Sequence, residues 1–422
     1  MQPRVRANRY PLPVKPSASS HDVRRARLIA LYLPQFHPIP ENDAWWGPGF
    51  TEWANTRKAR PLFVGHYQPH VPAELGYYDL RDSAVREAQA ALAQQHGIEA
   101  FCYYHYWFAG RRLLERPFNE VLASGKPDFP FCLCWANETW SGVWHGAPDR
   151  VLIEQTYPGG DDHAAHFAAL LPAFRDPRYV RVDGKPFFAI YRPMHVPRVA
   201  AALRQWRDLA RKAGLPGLHF VGVETDQYPD WRPADHGFDA SFRANVPQRW
   251  IPWRRPVAKI ARQTRKWIQR GVGSRTPAWV APIYRYRDVC LPFVAGPFDG
   301  QRRYPSVLPN WDNTPRSGID GVVVHESTPA LFRLQLRKAL DLVGDLPREE
   351  RIVVVKAWNE WAEGNHLEPD RRDGRAYLDV VREEVCESAA AVRVLDAHDR
   401  PTTPAAPAAR HAASSMLRTL RQ

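Results

Sequence analysis

Glu360 and Glu363 stand three residues apart in the stretch KAWNEWAEGNHLEPD (356–370), flanked by Trp358 and Trp361. If the chain turns helically there, side chains at i and i+3 meet on one face, with Cβ atoms about 5–6 Å apart. Two carboxyl groups at such a spacing suit glycoside chemistry, in which one is protonated as the acid while its neighbour is ionised. Mutual repulsion and the apolar walls of Trp358 and Trp361 would raise the pKa of one member. Flat aromatic faces also stack on the CH surface of sugar rings, and the chain holds 16 Trp and 16 Tyr. A helix-capping Glu360 beside a solvated Glu363 would show the same spacing, so the surroundings of the pair decide between the readings.

The apolar run RIVVV (351–355) leads directly into this stretch. Short β-branched or aromatic runs recur at 27–34, 98–108, 130–138, 186–193, 218–226, 238–243, 306–313, 321–327 and 351–360, nine candidates for eight strands. Amphipathic segments at 82–97, 163–174, 196–214 and 328–344 read as helices between them, several stopped by glycine. Continuous rather than alternating apolar runs suit parallel strands buried on both faces. Eight such units close most simply into a barrel, so the expected fold class is α/β, a (β/α)8 TIM-like barrel with a basic loop insertion and disordered termini. A doubly wound open sheet is the runner-up, and no G-x-G-x-x-G follows the first run to support it.

Polar residues collect at the C-terminal ends of these runs, and in a barrel those ends share the rim that carries the site. Beside the catalytic candidates Glu360 and Glu363, the candidate sugar-binding residues are His37, Trp53, His105, Trp107, Trp135, Asn137, Glu138, Arg192, Trp311, Asp312, Asn359 and Trp361. Hydrogen-bonding groups among them suit hydroxyls and the tryptophans suit ring faces; ordinary core packing is the alternative for each. Asp312 in WDNT (311–314) suits a sugar diol, with a β-turn as its alternative. No H-E-x-x-H or close metal triad occurs along the chain, nor a Walker motif, so neither a metal nor another cofactor is expected.

The formal charge of +13 invites a nucleic-acid reading, but its distribution argues otherwise. Residues 1–27 carry +6, residues 249–270 carry +8 and residues 400–422 carry +4, which leaves the rest of the chain at −5. The basicity thus sits in two tails and one insertion, where it would attract anionic lipid headgroups or a polyanionic glycan carrier, or merely keep the chain soluble. Nucleic acid is not an expected partner. With 422 residues, 44% of them apolar, the chain can bury a large core, and no run approaches a membrane span or the apolar core of a secretory signal. The expected location is cytoplasmic, with peripheral contact to the inner membrane face through 249–270. Five scattered cysteines give no disulfide framework and read as reduced, mostly buried thiols. The expected organisation is a disordered basic segment at 1–26, a barrel at 27–398 that includes the insertion 244–300, and a disordered tail at 399–422.

The stretch WNEWAEGNHLEPD resembles the Asn-Glu-Trp-x-Glu-Gly motif of glycoside hydrolase family 99, endo-acting α-mannoside enzymes on a (β/α)8 barrel. It is more similar still to the bacterial WbsX family, which shares a family 99-like domain and is associated with synthesis of O-antigen or other surface polysaccharide. ALYLPQFHPIPENDAWWGPGFTEWANTRKARPLFVGHYQPHVPAELGYYDLRD (30–82), GIEAFCYYHYWFAGRRLLERP (97–117), FCLCWANETW (131–140), GKPFFAIYRP (184–193) and PSVLPNWDNTPR (305–316) belong to the same resemblance, which covers about 27–375. By motif position it implies that Glu360 deprotonates a sugar 2-OH, which attacks C1 to give a 1,2-anhydro sugar. Glu363 is then the acid/base that serves the leaving and incoming oxygens. Ala362 stands where the hydrolases commonly have His. The implied function is a glycosyltransferase or transglycosylase acting on a free or lipid-linked oligosaccharide or polysaccharide. An endo-acting hydrolase of mannosidase type on the same glycan, or a non-catalytic glycan-binding scaffold, are the alternatives.

Overall fold

A computed structural model of the chain describes residues 24–142, 147–225, 227–245, 283–297, 300–318 and 321–386. Its centre is a ring of parallel strands: β1 (Arg27–Tyr32), β2 (Ile98–Phe108), β3 (Phe131–Trp135), β4 (Lys185–Ile190), β5 (His219–Glu224), β6 (Ala240–Arg243), β7 and β8 (Ile352–Val355). Each pairs with the next, and β8 returns to β1 with Arg27 opposite Ile352 and Ala30 opposite Val355. β7 is split into Arg303–Tyr304, which pairs with β6, and Ser306–Val307, which pairs with β8. Pro305 lies between the halves and has no N–H to give the ladder, though its carbonyl still accepts from Val354 N at 2.9 Å. The ring therefore closes through a covalent link, and eight strand positions result.

The ninth apolar run, 321–327, is not a barrel strand. Its Val323–His325 forms a side sheet, parallel to Ile283–Arg285 and antiparallel to Trp311–Asp312. β-branched composition favours a strand but does not say which sheet it joins. The run at 306–313 likewise divides, its first two residues entering the barrel and Trp311–Asp312 leaving it.

Helices follow the strands in β/α order. Ser83–Gln95 starts at Asp82, whose carboxylate accepts from Ala84 N, and Pro329–Asp341 starts at Thr328, whose hydroxyl accepts from Leu331 N. Gly160–Arg175 and Val199–Lys212 cover β3 to β5 and carry buried stripes that include Phe167, Leu170, Leu203 and Trp206. β3 and β8 are buried along their whole length, as expected for strands covered on both faces. Cys102, Cys132, Cys134 and Cys290 are buried without a disulfide. No described helix is long and apolar enough to cross a membrane. The basic stretch 249–270 and both expected disordered tails, apart from residues 24–26, lie outside the described residues.

Candidate active site

β8 ends at the barrel's C-terminal mouth, and the chain then doubles back on itself. Asn359–Glu360 pairs antiparallel with Asn365–His366, and a 3-10 turn at Trp361–Glu363 joins them. With three residues per turn, positions i and i+3 eclipse, so Glu360 and Glu363 project to the same side. Gly364 closes the turn at φ 57°, and a Cβ there would stand 3.1 Å from the Cβ of Asp312. The left-handed backbone favours glycine, and the close approach to Asp312 adds to that preference. Asn359 ties the turn to the end of β1: its side-chain carbonyl accepts from Leu33 N at 2.8 Å and its amide donates to Leu33 O at 3.0 Å. Asn365 accepts from Ala357 N at 3.0 Å on the other limb.

Lys356, the first residue after β8, lies between the two carboxylates. Its Nζ is 2.6 Å from Glu360 Oε1 and 3.1 Å from Glu363 Oε2. Arg316 Nη1 reaches Glu363 Oε1 at 2.5 Å, while its Nη2 and Nε hold Glu52 at 2.7 and 3.2 Å. Glu360 and Glu363 are 3% and 8% exposed, and Lys356 is 2% exposed. Three carboxylates thus share a dry site with two cations, and one proton makes the group neutral. Burial and then the neighbouring charge of Glu363 push Glu360 up to about 8. Burial acts on Glu363 in the same direction, but Lys356 and Arg316 together outweigh it and hold Glu363 down at about 2. The two shifts run in opposite directions, which favours the proton on Glu360 and the charge on Glu363.

The aromatic surroundings differ from those the flanking tryptophans suggest. Trp358 is fully buried against Phe101, with ring centroids 5.0 Å apart. Trp361 stacks on His366 at 3.7 Å, packs against Trp53 and donates to Glu368 at 2.6 Å. Both rings serve the packing behind the turn. The ammonium of Lys356 instead faces Trp311 at 5.3 Å and Tyr104 at 6.0 Å. Burial first, and then the charge of Glu360, raise the hydroxyls of Tyr104 and Tyr106 well above their ordinary range.

Of the other sequence candidates, Asp312 backs the turn across Gly364. Its Oδ2 binds His66 Nε2 and Gln68 Nε2, each at 2.6 Å, and its Oδ1 accepts from Thr314 N and Oγ1 at 3.0 and 2.6 Å. Trp53 donates to Tyr78 O at 2.8 Å within the same aromatic packing. Farther round the ring, Asn137 bridges the ends of β3 and β4 by bonding both backbone groups of Arg192, and Glu138 pairs with the Arg192 guanidinium at 2.6 Å. His105 bonds His166 at 2.8 Å, Trp107 stacks on His166 and donates to Asp162, and Trp135 donates to Trp107 O. His37 is buried with Nδ1 3.1 Å from Pro38 O. The structure thus gathers Trp311, Asp312, Asn359 and Trp361 about the glutamates and places the β2 to β4 group in the wall beyond.

Lys356, Arg316 and Glu52 are members of the site that motif and strand-end position do not mark. A lysine directly after four β-branched core residues and four positions before Glu360 was a usable signal, because a buried lysine needs carboxylate partners. Glu52 and Arg316 lie 264 residues apart, and only the fold joins them. His70, His366 and Asp370, the described group with metal-ligand geometry, lie behind the turn, His366 stacking on the Trp361 ring.

The sequence profile of a family described as Glycosyltransferase WbsX matches residues 28–381. In Xanthomonas campestris pv. campestris, strains B100 and ATCC 33913, a protein named Uncharacterized protein WxcX is 41% identical over 382 residues, covering 87% of this chain and 52% of the relative. The chain thus spans about half the length of the curated relatives it matches. Among solved structures, a Glycoside hydrolase-like protein aligns with a TM-score of 0.52 at 14% identity, covering 90% of this chain and 97% of the other, a likeness of fold. A GH99 endo-alpha-mannosidase from Bacteroides thetaiotaomicron aligns with a TM-score of 0.49 at 13% identity, covering 90% of this chain and all of the other.

Proposed function

The chain belongs to the WbsX glycosyltransferase family, and from that membership we propose that this carbohydrate-active enzyme transfers sugars within a bacterial surface polysaccharide, such as lipopolysaccharide O-antigen, using Glu360 and Glu363 as its acid/base pair. The observation that carries the reading is the buried cluster in which Lys356 touches both carboxylates and Arg316 fixes one of them. An acid poised near 8 is protonated at neutral pH and suits protonation of a leaving oxygen. A carboxylate that stays ionised suits the partner that faces positive charge developing at the sugar carbon, or that takes the proton of an attacking hydroxyl. Glu360 is then the acid and Glu363 the ionised partner, the reverse of what the family 99 resemblance implies. Proton balance holds in either case: the proton that leaves the acid with the departing oxygen is replaced by the one the attacking hydroxyl gives up.

Carboxylates only 3% and 8% exposed are shielded from bulk water, which favours a sugar hydroxyl over water as the acceptor. The substrate in this proposal is an oligosaccharide or polysaccharide, free or lipid-linked, handled on the cytoplasmic side. The eight Lys and Arg of 249–270 are the proposed contact to anionic lipid.

The test is to incubate the purified protein, and Glu360→Gln and Glu363→Gln variants, with lipid-linked and free oligosaccharides of the host's surface polysaccharide, following products by mass spectrometry. Longer products from the parent, reduced at least about 100-fold in each variant with circular dichroism unchanged, are expected. Shorter products would make it a hydrolase, and binding without any product would make it a scaffold. On an aryl glycoside with an acidic leaving group, Glu360→Gln should recover activity and Glu363→Gln should not; the opposite pattern would restore the roles the resemblance implies.

A further inference from the structure

We propose that His70, His366 and Asp370 form a binding site for one divalent cation of the zinc class, which clamps the loop bearing His66 to His70 onto the back of the Glu360–Glu363 turn. One ligand atom from each of the three side chains lies within 4.8 Å of the others, and all three residues are buried. His70 Nδ1 and His366 Nε2 are 2.8 Å apart, and Asp370 Oδ2 is 4.0 Å from His70 Nδ1.

The surrounding bonds prepare His366 and Asp370, while at His70 Nδ1 the ion would replace the proton that now bonds His366 Nε2. His366 Nδ1 lies 2.8 Å from the Glu368 carbonyl, which can only accept, so Nδ1 carries the proton and Nε2 presents its lone pair to the site. The Trp361 ring, stacked on His366 at 3.7 Å, holds the imidazole plane. Asp370 Oδ1 accepts from Arg372 N at 3.0 Å and Asp373 N at 2.7 Å, which aims Oδ2 at the histidines. The adjoining cleft has about 20 Å³ of free interior, lined in part by Asn310, Glu368 and Tyr377. A water-sized body needs roughly 10–15 Å³, so the cleft holds one such body, a water beside the ion, and not a sugar ring.

Two imidazoles and one carboxylate suit zinc or a similar first-row ion; calcium and magnesium favour six or more oxygens. At Zn–N of about 2.0–2.1 Å, tetrahedral ligation spaces two nitrogens about 3.3 Å apart, so the rings would part by about half an ångström on loading. His66 and Gln68 of the same loop hold Asp312, and Asp312 packs against Gly364. The ion would thus position the catalytic turn without touching substrate.

Full-length protein, stripped with chelator and dialysed against metal-free buffer, is titrated with Zn2+ by calorimetry, and retained metal is counted by mass spectrometry. One ion per chain is expected, with affinity lowered at least the 10–100-fold of an outer-shell loss in His70→Asn and in Asp370→Asn. Zn2+ should raise the thermal midpoint of the parent and leave that of the variants unchanged. No retained ion in the parent, or equal retention in both variants, overturns the site. Should the variants fail to fold, the parent loaded with Co2+ decides: the intense visible bands of a four-coordinate ion support the site, and the weak bands of a six-coordinate aquo-like ion overturn it.

Discussion

Replacing Lys356 by Met removes the ammonium that lies 2.6 and 3.1 Å from the two carboxylates and keeps the bulk of the side chain. In the native site, holding Glu363 at about 2 against its ordinary 4.5 contributes on the order of 3 kcal/mol at neutral pH, with Lys356 the largest lowering influence and Arg316 the next. That contribution is present above pH 4.5 and lost as pH falls toward 2, because the unfolded chain then binds a proton that the folded one refuses. Without Lys356 the cluster is left with an excess negative charge, for which a loss of about 3–5 kcal/mol is expected at pH 8. The folded variant relieves this by taking up a second proton, so the pKa of Glu363 moves above its unfolded value and the sign inverts. Stability then rises as pH falls, by about 1.4 kcal/mol per unit relative to the parent, and the penalty at pH 6 is smaller by up to about 3 kcal/mol. Urea unfolding of both proteins at pH 6, 7 and 8 reads this directly. The double variant Lys356→Met, Glu363→Gln should be more stable than the single one at pH 8, since it removes the charge left without a partner. A penalty below about 1 kcal/mol, the same penalty at every pH, or no rescue in the double variant would refute the charge accounting of the site.

Gly364→Ala places a Cβ 3.1 Å from that of Asp312 on a residue at φ 57°, so a loss of about 1–3 kcal/mol is expected, with weaker sugar binding as the turn shifts. Thermal unfolding together with a glycan-binding assay checks it, and an unchanged midpoint would contradict the fit. Asn359→Ala strands the buried N–H and C=O of Leu33, for an expected cost of about 2–4 kcal/mol measured by urea unfolding. In the parent, Glu360 binds its proton up to about pH 8 when folded but only to about 4.5 when unfolded. Its contribution is therefore full below 4.5 and declines as pH rises to 8, and a Glu360→Gln variant should lose that part of the pH dependence.

Much of this protein is legible in its amino-acid order, because the relevant signals are local. Continuous apolar runs without polar alternation imply parallel strands covered on both faces; six of the eight barrel strands lie within such runs and a seventh, β4, begins one residue before its run. The eighth position departs from the runs: Pro305 divides β7, and the equally β-branched residues of 321–327 join a side sheet instead. Local composition measures how well residues suit a strand, while the neighbour a strand takes depends on long-range closure of the ring.

The candidate site divides along the same line. The i, i+3 spacing of Glu360 and Glu363, the position directly after a buried strand and the glycine at 364 are sequence properties, and they set the two carboxylates side by side. Tertiary structure alone determined what surrounds them. It turned Trp358 and Trp361 into packing, brought Trp311 and Tyr104 to the ammonium of Lys356, and carried Glu52 and Arg316 across 264 residues to the cluster. A pKa depends on burial and on charges a few ångströms away, and the order of residues along the chain does not record such through-space distances. For that reason the sequence names two glutamates, and only the folded barrel supplies the burial and the charges that push their pKa values apart.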